Sequence, residues 1–280
     1  MVLPPHVLEF ASDDADATAA LRALYHAAPT SDAPPTLRYR ISRGGPDEYV
    51  ATAPNRPPFG PASLGDCWAY LEWRAIEDVL NDPGPDSVYV HAAGISLNHK
   101  LFLLVGPSGS GKSTLTAILL ARGCAALGDD VLRFAPVQGL FHSVPRAVKL
   151  DAKTLRLLPL ATQKNLTDSV GTLLAAESWY VSPVAFGPAW LAGPGRPWAV
   201  VALEDAPHCG APRLERSGEG QAAVRVVQSL LGAEHGLSPE RRSAAGLALL
   251  EAVGDSRAYR ACGEGAAALA DLMQEEAARA

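Results

Sequence analysis

The chain has 280 residues, 48% of them hydrophobic, and a formal net charge of −6 with acidic and basic side chains interspersed. This length and apolar content support a large buried core and exclude a disordered chain, and no broad cationic field favours nonspecific binding of nucleic acid or anionic lipid. No segment reaches the roughly 18 uninterrupted apolar residues of a membrane span, and the start MVLPPHVLEF lacks a basic region followed by an apolar one, so a cytoplasmic protein without membrane partners is expected.

Twelve of the 23 prolines precede residue 86, among them Pro34-Pro35 and Pro57-Pro58, so this part is expected to hold short strands, turns and one or two helices. Within it LRYRISRGG and EYVATAP read as strands, and CWAYLEWRAIEDVLND spaces Trp68, Leu71, Ala75, Ile76, Val79 and Leu80 as a helix does. The breaker cluster NDPGPD sets a boundary, giving a small mixed α+β domain over 1–85 and a larger α/β domain over 86–280. The larger part opens with SVYVHAAGISL and KLFLLVG, two apolar runs joined at Asn98-His99 as a hairpin. A helix over Lys112 to Arg122 ends at Gly123, and CAALGDDVLRFAP returns to strand character. AVVALED is a buried strand, GQAAVRVVQSLLG and PERRSAAGLALLEAVG are amphipathic helices, and SRAYRACG is a strand before the helix EGAAALADLMQEEAARA. The cysteines, Cys67, Cys124, Cys209 and Cys262, form no CxxC pair and are expected to be free thiols.

Between the hairpin and the following helix, Gly106, Gly111, Lys112 and Ser113 match G-x-x-x-x-G-K-[ST] in full. Glycines let consecutive backbone N–H groups turn onto phosphate oxygens, and the helix that starts there adds the positive end of its dipole. Gly106, Ser108, Gly109, Ser110, Gly111, Lys112, Ser113 and Thr114 are therefore expected to hold the phosphates of ATP, with Lys112 on the β and γ phosphates and the Ser113 hydroxyl on Mg²⁺. Asp129 and Asp130 follow Lys112 by 17 and 18 residues, enough to run down the helix and back along a neighbouring strand to its phosphate end. Two carboxylates beside a triphosphate suit a metal ligand and an acceptor for a hydroxyl proton. His91, at the end of SVYVH, is a candidate proton relay or phosphate contact, and Arg146 and Lys149 are candidate phosphate or substrate contacts on a later loop.

The same glycine loop occurs in transporter ATPases, but the chain has no LSGGQ-like signature and no apolar strand ending in Asp-Glu; VALED carries Glu-Asp in reverse order. The block HAAGISLNHKLFLLVGPSGSGKSTLTAILLARGCAALGDDVLRF instead resembles the catalytic domain of the HPr serine kinase/phosphorylase family. It looks closest to the short HPr-kinase-like proteins of bacterial biosynthetic clusters, and it is similar more distantly to ATP-dependent phosphoenolpyruvate carboxykinase, which also has SGxGK followed by GDD. The specific match covers 88–134. The resemblance implies a P-loop, HPr-kinase/carboxykinase-like α/β core. It also implies that Asp129 and Asp130 divide the roles of general base and metal ligand, the first favoured as base and the second with Ser113 on the metal, and that His91 is the active-site histidine. No EVRG-like segment and no PVRPGRN-like loop is present, which argues against HPr itself as substrate and against reverse phosphorolysis. The expected activity is ATP- and Mg²⁺-dependent transfer of the γ-phosphoryl group to a hydroxyl acceptor, most simply a serine of a peptide or small protein, by a chain that could form a homo-oligomer. The alternatives are a non-catalytic nucleotide-binding regulator and a small-molecule kinase or carboxykinase-like enzyme.

Overall fold

A computed structural model of the chain describes residues 1–25, 28–169, 172–187, 190–204, 210–231, 236–263 and 265–279. Asp205 of the reversed Glu-Asp pair and Cys209 lie outside these residues. Among the described residues Cys67 and Cys124 are free thiols, and no helix is long and apolar enough to cross a membrane.

The chain is mixed α/β. In order it forms β1 (Val2–Leu3), β2 (His6–Ser12), α1 (Ala15–Leu24), β3 (Leu37–Arg43), β4 (Tyr49–Thr52), β5 (Phe59–Ala62) and α2 (Leu64–Asn81). There follow β6 (Val88–Leu97), β7 (Lys100–Val105), α3 (Lys112–Ala121), β8 (Ala125–Gly128), β9 (Val131–Ala135) and β10 (Leu140–Ser143). Next come β11 (Val148–Asp151), α4 (Ala152–Leu157), α5 (Leu160–Thr167), β12 (Thr172–Ala175) and β13 (Ser178–Val181). The last part holds β14 (Ala199–Leu203), β15 (Arg213–Arg216), α6 (Glu219–Gln228), β16 (Leu230–Leu231), α7 (Pro239–Val253), β17 (Arg257–Cys262) and α8 (Ala266–Arg279).

These elements fall into two units, 1–84 with 145–185, and 85–144 with 186–280. The single boundary expected at residue 85 thus becomes three crossings, because the chain returns to its first unit after β10. In that first unit the strands run β1-β2-β3-β4-β5 in one sheet and β11-β13-β12 in another. The returning segment is held by α2: Trp68 packs edge-on against Tyr180 at 4.7 Å, and Asp66 Oδ1 accepts the Ala176 N–H at 3.0 Å. Ser63 caps α2 by accepting the Asp66 N–H, and Cys67, Trp68, Leu71, Ala75 and Val79 form its buried stripe, as the spacing implies.

The second unit is built on a nine-stranded sheet with the order β10-β9-β6-β7-β14-β17-β15, in which β8 and β16 also pair with β6. β7, β14 and β17 are parallel, so their carboxyl ends, Val105, Leu203 and Cys262, share one edge. β6 and β7 form the expected hairpin: Asn98 and His99 both take positive φ, 49° and 62°, as a two-residue turn of type I′ requires. One sheet face buries Val88, Val90, Leu103, Val105 and Val200 against Ala222 and Val226 of α6 and Ala245 and Leu249 of α7.

Candidate functional site

Val105 ends β7, and the turn that follows owes its shape to glycines. A Cβ on Gly106 would stand 2.7 Å from the Leu203 carbonyl oxygen and 2.8 Å from Ser110 Oγ, and Gly111 enters α3 at φ 93°, in the left-handed region where a side chain is strained. Gly106→Ala is therefore expected to destabilise the chain by about 1–3 kcal/mol, read as a shift in the denaturant midpoint, because a backbone carbonyl cannot step aside as a flexible side chain can.

No side chain caps the first turn of α3. Its orphan N–H groups, with the positive end of the helix dipole, are open to an anion. Within the turn Ser110 Oγ is buried without a hydrogen-bond partner, whereas Ser108 is exposed and Thr114 half-buried. Lys112 is 4% exposed, and its Nζ donates to the carbonyl oxygens of Gly106 at 2.9 Å and Pro107 at 3.0 Å. Burial lowers its pKa, and the charges of Asp130 and Asp129 act the other way. An ammonium folded into the loop that feels both carboxylates, an orphaned serine hydroxyl and uncapped helix amides together fit a phosphate chain.

The aspartates reach this place by a route different from the expected one. The strand beside β7 is β6, antiparallel to it, because the two-residue hairpin occupies that edge; β8 and β9 lie one strand further out. The pairs Gly94↔Gly128 and His91↔Val131 keep one register, so Asp129 and Asp130, between β8 and β9, lie across from Ala93 and Ala92. Ala92 in turn pairs with Val105, which sets Asp130, Ala92 and the end of β7 in one row about 10 Å long at the usual strand spacing. Because β6 is antiparallel to both neighbours, β8 still runs in the direction of β7 and delivers the aspartates to its carboxyl end.

His91 stands where β7 leaves the sheet. β6 runs on beyond Val105, and the edge so freed is taken by the end of α6 and by β16: the His91 N–H donates to Ser229 O at 2.7 Å, and Leu230 pairs with Val90. The His91 ring faces Asp130, with Nδ1 3.0 Å from Oδ1. Asp129 is 7% exposed, and its backbone oxygen accepts the Ser113 hydroxyl at 3.4 Å. Ser113, Asp129 and Asp130 thus gather hard oxygen donors of the kind Mg²⁺ takes, while no three His, Cys, Asp or Glu side chains form an all-protein cage among the described residues. That donor set fits an ion that keeps waters and substrate phosphates as its other ligands.

Arg146 and Lys149 are not brought to the turn within the second unit; both belong to the first. There Arg146 Nε donates to Glu72 Oε1 of α2 at 3.2 Å, and Lys149 Nζ lies 5.8 Å from the centre of the Tyr180 ring.

A feature outside the sequence reading is a cavity of about 680 Å³ at the same sheet edge, lined by Ala202, Glu204, Ser217, Gln221, Arg225 and Arg260. The stretch Ala202–Glu204 that lines it also carries the Leu203 carbonyl against Gly106, so turn and cavity share a wall. Arg260 is tied to Glu215 at 2.9 Å and stands 3.8 Å from Glu204. No local pattern reveals this cavity, because its residues come from two strands, two loops and a helix.

No protein-family model matches the chain. Among solved structures, the HPr(Ser) kinase/phosphatase from Coxiella burnetii is structurally similar, at 13% sequence identity over 68% of this chain and 94% of that chain, with a TM-score of 0.32.

Proposed function

We propose that the protein is a kinase that transfers the γ-phosphoryl group of ATP to a hydroxyl acceptor, a serine of a peptide or small protein, with Mg²⁺ as cofactor and a P-loop as its nucleotide site. The observation that carries this reading is the meeting of Lys112 and the Asp129–Asp130 pair at the edge of the sheet where the glycine turn opens. A site that only binds a nucleotide has no chemical use for a second carboxylate beside the phosphate cradle.

In this reading the turn and Lys112 fix the phosphates, and Ser113 with Asp130 would hold Mg²⁺, which supplies positive charge against the phosphate oxygens. Asp129 takes the proton of the acceptor hydroxyl as the acceptor oxygen bonds to the γ-phosphorus. The bond from that phosphorus to the bridging oxygen breaks, and ADP leaves with the electron pair. His91 acts as a positioning residue that holds the Asp130 carboxylate in one orientation through Nδ1. Replacing His91 by alanine is accordingly expected to raise the Mg²⁺ concentration for half-maximal rate about ten- to a hundredfold, with the KM for ATP at saturating Mg²⁺ unchanged.

The test of the reading is incubation with γ-labelled ATP and serine-containing peptides: label appears on the peptide serine with wild-type protein. Label that stays in ATP while ATP binds would instead make the chain a non-catalytic nucleotide binder. Lys112 adds a pH signature. Its folded pKa lies below the ordinary 10.5, so the folded chain gives up this proton before the unfolded chain does, and stability rises with pH between the lowered value and 10.5. ATP affinity, which needs the ammonium, falls across the same window. Calorimetric titrations at alkaline pH are expected to show that break in wild-type protein and not in Lys112→Met.

A further inference from the structure

Outside the site described above, one row of the sheet leaves a positive charge and two polar atoms unmet. Tyr89 of β6, Arg133 of β9 and His142 of β10 pair directly across three strands, Tyr89↔Arg133 and Arg133↔His142. Directly paired residues share a face and stand about 5 Å apart at Cβ, so Tyr89 and His142 flank Arg133, one on each side. Tyr89 is 2% exposed and its hydroxyl has no hydrogen-bond partner; His142 Nε2 is likewise buried and without one. The Arg133 guanidinium donates to Ser87 Oγ at 3.1 Å and forms no ion pair with a carboxylate among the described residues. Burial lowers the His142 pKa, and the Arg133 charge lowers it further; the same charge opposes the upward push that burial gives the Tyr89 hydroxyl.

Buried polar atoms in folded chains are nearly always paired, and an arginine with no carboxylate partner beside two unpaired atoms is costly unless an anion completes the set. Every group in this row can donate: a phenol, a guanidinium whose planar fork matches an oxyanion, and an imidazole. Arg133 and His142 are half-buried rather than sealed, which leaves an approach open. Tyr89 is two residues from His91, hence on the same face of β6 and about 7 Å along it.

We propose that Tyr89, Arg133 and His142 form an oxyanion-binding site next to the His91–Asp130 pair, for a carboxylate or a phosphate. The anion has two possible sources, an acidic side chain of a bound peptide or free inorganic phosphate. The experiment follows the imidazole resonances of His142 by NMR, assigned with His142→Gln, while sodium phosphate or a serine-free peptide containing glutamates is added at constant ionic strength. Saturable movement of the His142 signals, weakened about tenfold or more in both Arg133→Gln and Tyr89→Phe, is the expected result. Saturation by the peptide at lower concentration than phosphate assigns the site to an acidic side chain, and the reverse order assigns it to free phosphate. Signals that fail to saturate with either probe, or that respond alike in wild type and both variants, overturn the proposal. Tyr89→Phe keeps the ring and its packing, so it answers the question even where Arg133→Gln does not fold. The readout is on His142, so it stands or falls independently of whether ATP occupies the glycine turn.

Discussion

Asp129→Asn is expected to lower phosphoryl transfer about a hundred- to ten-thousandfold, the range of a lost general base, while ATP binds as before. The substitution keeps the shape of the side chain, and the contact that ties this residue to Ser113 runs through the Asp129 backbone oxygen, which the change leaves in place. Loss of rate with binding intact marks a group that acts only when the acceptor proton moves. Single-turnover transfer from γ-labelled ATP to a serine peptide, with calorimetry for ATP, separates the two effects. Full transfer in Asp129→Asn would remove it from the role of base and move the assignment to the His91–Asp130 pair, whose 3.0 Å contact leaves His91 Nε2 as the other basic atom.

Lys112→Met is expected to cost about a hundred- to a thousandfold in transfer, as removal of a preorganised charge at the phosphates does, and to weaken ATP itself. Its effect on stability should have the opposite sign from that of most buried substitutions. Lys112 keeps an ammonium at 4% exposure, and burial disfavours its charge. Methionine fills a similar volume without that desolvation cost, so the melting temperature at neutral pH should be held or raised. A fall in both stability and activity would mean that the two carbonyl contacts of Nζ hold the turn together, and that Lys112 serves the fold rather than the phosphates.

Local structure was largely legible from residue patterns. The stripe from Trp68 to Leu80 is α2, Asn98-His99 is the hairpin turn, and Gly111, Lys112 and Gly123 bracket α3 as glycine and helix-end chemistry require. Each of these is decided within a few residues, by φ preferences, side-chain period and backbone hydrogen bonds. The return of 145–185 to the first unit was not legible, because it depends on contacts such as Trp68 with Tyr180, more than a hundred residues apart in sequence.

The candidate site divides the same way. The amino-acid sequence by itself determined that a glycine turn joins a strand to a helix that opens on a lysine and a serine, since only glycine allows the backbone its close approach to Leu203 and its left-handed entry to α3. It also supplied the paired aspartates. Which strand carries them to the turn was decided by the tertiary structure: a hairpin too short to leave the edge of β7 free puts β6 between, and the register of β9 on β6 then sets Asp130, in the bend just before β9, beside His91. The same register aligns Tyr89, Arg133 and His142, because pairing across a sheet joins residues by hydrogen-bonded position rather than by nearness along the chain.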